Sequence, residues 1–142
     1  MTAKEIYEIG ISYIPEVATD NPDLQRYVVG WLNTMMLETF EVENAIRTWN
    51  KEELLPAPQM IKNINENIVY HDSLTLGAFP YGIASYAFID DDNDYRSNKF
   101  GQYYVRGVNA ANKYIPHKII DLYLGGDLNG IDRRREKEKS TS

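Results

Sequence analysis

Apolar residues recur at helical spacing along most of this chain, and prolines, glycines and polar turns cut the pattern into separate runs. Thr2-Ala3-Lys4-Glu5 fits a capping box, with Thr2 as N-cap and Glu5 reaching back. Ile6, Ile9 and Tyr13 follow on one face, and Pro15 predicts an end near Tyr13. Asn21-Pro22 reads as the next start, asparagine capping and proline in the first helical position. From Asn21 to about Asn50 the spacing predicts one long helix. Leu24, Val28, Trp31, Met35, Val42, Ile46 and Trp49 share a face at 100° per residue. Val29, Leu32, Met36 and Phe40 form a second apolar face in the first half only. Unbroken, such a helix is ~44 Å long, against a domain diameter of ~37 Å. It therefore spans the domain, and its second face asks for a second packing partner. Val29, Leu32, Met36 and Phe40 are thus the candidates for a contact with a neighbouring subunit.

Lys51 to Pro58 reads as a linker carrying Pro56 and Pro58. Gln59 to Tyr70 suits either a short helix or, at Asn67–Tyr70, an edge strand, and Asn63, Asn65 and Asn67 weaken both. A third helix is expected over Leu74–Ile89, with Pro80 opening or kinking it. Gly82, Ala84, Ser85 and Ala87 would let another helix come close. An acidic turn, Asp90 to Asp94, ends it and caps a fourth helix, Asp94 to Ile115, with Phe100, Tyr104, Ala111 and Ile115 as its stripe and Gly107 on the same side. Pro116 stops that helix. Ile119–Leu124 is a short apolar segment that could pair as a strand, and Gly125, Gly126 and Gly130 mark flexible joints. The expected fold is mostly α: a small four-helix bundle with a long central helix, a short strand pair left open, and an extended C-terminal arm. Residues 1–116 make the helical domain, 117–132 the arm and 133–142 a disordered basic tail.

Composition narrows the function classes. At 142 residues one domain is natural, with a core large enough to need no staples. The chain has no cysteine, so disulfides, thiolate nucleophiles and cysteine-bound zinc are out. The polar Met1–Glu5 start lacks a signal peptide's apolar core, which leads us to expect a cytosolic product. The net charge is −6, yet Arg133–Lys139 carries five positive and two negative charges, leaving the rest near −9. An acidic body speaks against general nucleic-acid binding, which needs a cationic face. Eleven tyrosines and two tryptophans point instead to protein contacts, or to a core they fill.

Three groups invite a chemical reading. Asp90, Asp91, Asp92 and Asp94 could hold a divalent cation. In an EF-hand register from Asp90, however, Tyr95 stands where glycine is required and Gly101 where the closing glutamate is required. A solvated, helix-capping turn explains the run better. His71-Asp72 suggests an imidazole–carboxylate pair, but no nucleophile completes it, and His117 falls in a loop. Glu38, Glu41 and Glu43 lack the Glu-x-x-His partner of a carboxylate metal box. No phosphate-loop pattern is present. The expectation is no enzyme, no cofactor and no metal.

Residues 76–92, Leu-Gly-Ala-Phe-Pro-Tyr-Gly-Ile-Ala-Ser-Tyr-Ala-Phe-Ile-Asp-Asp-Asp, resemble a signature of tailed-phage head–tail connector (adaptor or neck) proteins. Phe100 and Tyr103-Tyr104 are similar to that family's aromatic last helix. The opening order of short helix, acidic turn and long helix with Leu32-Asn33 and Glu38 is alike. The likeness covers about residues 4–115. It implies a virion structural protein, assembled in the host cytoplasm, that forms a homo-oligomeric ring, commonly of twelve copies. The ring sits under the portal protein, meets the next neck or tail protein, and leaves a channel for genomic DNA. It also implies a C-terminal arm that docks on the portal; Ile119, Ile120, Leu122, Tyr123 and Leu124 are the counterparts here. Other readings are a tail-completion or stopper protein, a small metal-dependent hydrolase using Asp90–Asp94, and a helical regulator.

Overall fold

The computed structural model describes residues 1–15, 22–90, 92–112, 124–125 and 127–128. It is mostly helical, as the periodicity predicts: α1 (Ala3–Ile11), α2 (Pro22–Glu38), α3 (Phe40–Trp49), the single turn α4 (Asp72–Thr75), α5 (Phe79–Asp90) and α6 (Asp94–Asn112). These belong to one unit, Met1–Asn112. A second unit, from Lys113 on, contributes β1 (Leu124–Gly125) and β2 (Asp127–Leu128), antiparallel with Gly125 opposite Asp127. Ile119, Ile120, Leu122 and Tyr123, the basic tail, His117, Ile115 and Asn21 lie outside the described residues; Leu124 falls in β1.

The capping box forms as expected. The Thr2 amide donates to Glu5 Oε1 at 2.8 Å, and the Glu5 amide to Thr2 Oγ1 at 3.2 Å. The next amides, those of Ala3 and Lys4, donate to the carbonyls of Glu66 at 3.0 Å and Ile64 at 2.7 Å. A distant segment thus satisfies donors that a helix start leaves orphaned.

The long helix is not continuous. Thr39, at φ −106° and ψ 11°, separates α2 from α3. Its hydroxyl bonds back to the Met35 carbonyl at 2.7 Å, a habit that bends helices. The Tyr70 hydroxyl donates to the next carbonyl, Met36, at 2.7 Å. A side chain inserted into the ladder is a recognised cause of a kink. Two shorter helices of ~26 Å and ~15 Å therefore replace the spanning rod.

Its second face is also differently used. Leu32 and Met36 are 0 % exposed and belong to the chain's own core, so neither is available to a neighbour. Val29 and Phe40 are half-buried, Val29 packed against that core. The apolar arc of α2 is wide because α1 and α5 both pack against it. Trp49, expected on the core stripe, is largely exposed past the bend, whereas Val42 and Ile46 are buried.

The expected Leu74–Ile89 helix is likewise two pieces. Leu76 to Ala78 turn between α4 and α5, and a Cβ on Gly77 would collide with the Ser73 carbonyl. Pro80 opens α5, sitting in its first turn where its missing N–H costs nothing. This helix is the centre of the fold. Phe79, Ile83, Ala84, Ala87 and Phe88 are buried, and α1, α2 and α6 all pack against it. Close approach depends on glycine at Gly82, where a Cβ would strike Met35 of α2, and at Gly107, where it would strike the Gly77 backbone.

Candidate functional site

Residues 50–71 form neither helix nor sheet beyond a single bridge between Thr2 and Asn67. Amide side chains hold them instead. Asn44 donates to the Leu55 carbonyl at 3.1 Å and accepts from its amide at 2.9 Å. Asn33 does the same for Ile61 at 3.0 and 2.9 Å. Gln59 accepts from the Val69 amide at 2.9 Å and donates to the Asn67 carbonyl at 2.7 Å. Each amide presents a donor and an acceptor side by side, as a neighbouring strand would.

The densest polar cluster lies where this segment meets α3. Glu43 is 0 % exposed. Its Oε2 accepts from Arg47 Nε at 2.6 Å and faces His71 Nδ1 at 2.7 Å, while Oε1 accepts from the His71 amide at 2.9 Å. His71 Nε2 lies 2.8 Å from Glu52 Oε1. The Arg47 guanidinium also donates to the Glu53 carbonyl at 3.1 Å and the Val69 carbonyl at 3.0 Å. A buried carboxylate needs such partners, since an unpaired one would be very costly. Beside the cluster, burial pushes the Tyr70 phenol up to about 12; the Gln59 backbone pulls it down somewhat and the Glu43 charge adds to the rise.

His71 thus pairs with Glu43 and Glu52, not with Asp72 as its sequence neighbourhood suggested. Each ring nitrogen faces a carboxylate. The cluster ties α3, residues 52–53 and residues 69–71 together. Glu38, Glu41 and Glu43 diverge: Glu43 is in the cluster, Glu41 is exposed, and Glu38 accepts from the Tyr104 hydroxyl at 2.8 Å. Burial, and then that bond to Glu38, hold the Tyr104 phenol far above its ordinary range.

The acidic turn acts as a cap, through its asparagine. Asn93 Oδ1 accepts from the Arg96 amide at 3.1 Å and its carbonyl from the Ser97 amide at 2.9 Å, opening α6. Asp92 takes the left-handed conformation, φ 56°, and both Asp92 and Asp94 are exposed. Among the described residues no three His, Asp or Glu side chains converge as a metal site. Among them, too, no helix is long and apolar enough to cross a membrane.

Apart from the Tyr70–Phe79 pair at 6.1 Å, the ring contacts fall into two groups. Tyr13, Tyr81, Phe88, Phe100 and Tyr103 form a layer joining the end of α1 to α5 and α6. Tyr13 and Tyr81 stack at 5.2 Å, Tyr13 and Phe100 at 5.7 Å, and Phe88 and Phe100 at 5.7 Å. A second group runs from the exposed Tyr27 to Trp31 and Tyr86, which are half-buried and pack against the core. Tyr27 stacks on Trp31 at 6.4 Å, Trp31 on Tyr86 at 5.5 Å, and the Arg26 guanidinium lies over Tyr27 at 5.3 Å. Trp31, placed on the core stripe by its spacing, does pack against the core, and Tyr27 is the exposed end of the stack. Residues 27–37 contain no charge on any face.

No protein-family model matches the chain, and no curated protein or solved structure matches it either.

Proposed function

We propose that the chain is a structural assembly protein of the head–tail connector class, which forms a ring beneath a viral portal and bridges it to the tail. The observation that carries the reading is the resemblance at Phe79-Pro80-Tyr81-Gly82-Ile83-Ala84. In this fold the same residues build the first turns of the central helix, with Phe79, Ile83 and Ala84 buried and Gly82 set against Met35 and Tyr104. A motif that specifies how the central helix is packed is one that relatives would share for architectural reasons.

Two further features support an assembly role. Polar groups of the densest cluster are spent on one another, as suits a scaffold. Large side chains such as Tyr27, Leu37, Trp49, Met60 and Tyr95 are exposed in one chain and offer area to partners. An acidic body around a channel would also discourage passing DNA from sticking. A ring contact is heterologous and would draw on exposed residues, not on Leu32 or Met36.

The test is negative-stain microscopy and native mass spectrometry of the protein alone and mixed with the portal protein of the same virus. The expected result is a ring seated on the portal. A chain that never joins the portal overturns the reading.

A further inference from the structure

One face of α2 has no partner within the described residues. Val28, Leu32, Met35 and Met36 point into the core, while Tyr27 is 51 % and Leu37 64 % exposed, with Gly30 and Thr34 exposed between them. A surface helix ordinarily carries charge on its solvent side. Here charge stands only toward the two ends, Asp23 and Arg26 at one and Glu38 at the other.

Gly30 is the telling residue. At Gly10, Gly82 and Gly107 an added Cβ would press on a neighbouring segment, whereas at Gly30 it would meet nothing within 4 Å. Glycine inside a helix weakens it relative to alanine, and the chain's own packing does not require one here. A bare backbone in mid-helix does permit another backbone to come close. Thr34 turns its hydroxyl onto the Gly30 carbonyl at 3.0 Å, so its polar atom is spent within the helix. The Tyr27–Trp31–Tyr86 stack, with planes 21° and 13° apart, walls one side with rigid aromatic surface.

We propose that this face binds a second copy of the chain, α2 against α2, antiparallel about a two-fold axis passing near Leu32. In a two-fold contact residue i meets j while j meets i. Gly30 then lies opposite Thr34 of the second copy, Tyr27 opposite Leu37, and Arg26 opposite Glu38. Charge favours this arrangement, even though within one chain Glu38 Oε1 accepts from the Tyr104 hydroxyl and Arg26 lies beside Asp23. The antiparallel pair sets guanidinium against carboxylate at both ends, whereas a parallel pair would set Arg26 on Arg26. Further out, Asp23 is held by Arg26 at 3.7 Å and Glu41 lies past the Thr39 bend, so this same-sign pair falls beyond the straight contact. The inference does not depend on the connector reading, because an isologous pair closes on itself and a ring does not use it.

The test is sedimentation of the full chain over a range of concentrations at low salt. A monomer–dimer equilibrium is expected. Gly30→Arg should abolish the dimer without lowering the melting temperature, since the side chain enters open space and arginine suits a helix better than glycine. Arg26→Glu and Glu38→Arg should each weaken pairing, and mixing the two should restore it as a heterodimer, with circular dichroism confirming that each variant is folded. Wild-type protein that stays monomeric at its highest soluble concentration overturns the proposal; this includes the case in which residues 113–142 cover the face. So does a Gly30→Arg dimer, a mixture no better than its parts, or a larger ring disrupted by Gly30→Arg. Binding to the portal is a separate readout, so the two proposals can fail independently.

Discussion

The α1–α2–α5–α6 core and the 50–71 segment are held by different physics. In the first, the stabilising groups are apolar side chains at helical spacing, packed so closely that a Cβ at Gly107 would run into the Gly77 backbone. In the second, Asn33, Asn44, Gln59, Arg47 and Glu43 bond to a backbone with no ladder of its own. The helical core gains stability from many small, non-directional contacts. The segment depends on a few directional ones, whose loss leaves buried polar groups unpaired. The two regions should therefore fail differently when single groups are removed.

The largest effect is expected at Glu43. Replacing it with alanine leaves the Arg47 guanidinium and the His71 imidazole facing an empty, buried position. Removing one partner of a buried pair typically costs about 3–5 kcal/mol, which urea denaturation would measure. Hydrogen exchange should show the amides of residues 50–71 losing protection before those of α5. If α5 loses protection equally, the segment is not separately held and the contrast fails.

Next comes the core's own weak point. Gly107→Ala drives a methyl into the Gly77 backbone, which cannot rotate away as a side chain could. Overpacking costs about 1–3 kcal/mol. Here exchange should rise along α6 and α4, with the Glu43 cluster intact. A variant as stable as the parent would mean that α6 can shift at little cost.

The same contrast explains what could be read in advance. Period 3.6 marks apolar faces, so α1, α2 and α6 were visible, with the Thr2 cap and the start of α2 at Pro22, as was the helical class. Period cannot mark a bend made by a distant residue, and the Tyr70 hydroxyl that takes the Met36 carbonyl is 34 positions away. Residues 59–70 were open between helix and strand because they form neither: Glu66 and Asn63 bond the backbone at 62–65, Gln59 and Met1 bond Asn67, and Asn33 of α2 holds Ile61. The Glu43–His71 pair was hidden by separation along the chain. His71 has a carboxylate beside it in sequence, and its actual partners are 28 and 19 residues away. The outward face of α2 was half visible: the helix does have two apolar faces, but the one left over is Tyr27–Gly30–Thr34–Leu37 and not Val29–Leu32–Met36–Phe40.

The joint between the two regions should respond to pH. Tyr70 belongs to the segment, and its phenol, pushed up to about 12 by burial, donates to α2. The folded state holds this proton more tightly than the unfolded state, whose phenol has the ordinary value of about 10. Its contribution is therefore complete below pH 10 and is lost as pH rises from about 10 to 12. Tyr70→Phe should cost about 1–2 kcal/mol at pH 7 and flatten that part of the stability profile, read by thermal melts from pH 8 to 11. An unchanged alkaline slope would assign it to other phenols, with Tyr104, also raised by burial, the first to examine.

The smallest effect has the opposite sign and lies at the start of the segment. After α3 the chain makes a Schellman closure: the Glu52 amide donates to the Arg47 carbonyl at 2.8 Å and the Lys51 amide to the Thr48 carbonyl at 3.1 Å. Lys51 holds the left-handed position at φ 61°, where a side chain is disfavoured and glycine is usual. It is exposed. Lys51→Gly should therefore raise stability by about 0.5–1 kcal/mol, a gain offset in part by glycine's freedom in the unfolded chain. The gain should be confined to opening of residues 50–71 and should vanish in a Glu43→Ala background, where that segment is already released. A loss of stability instead would show that the Lys51 side chain makes a contact outweighing its backbone strain.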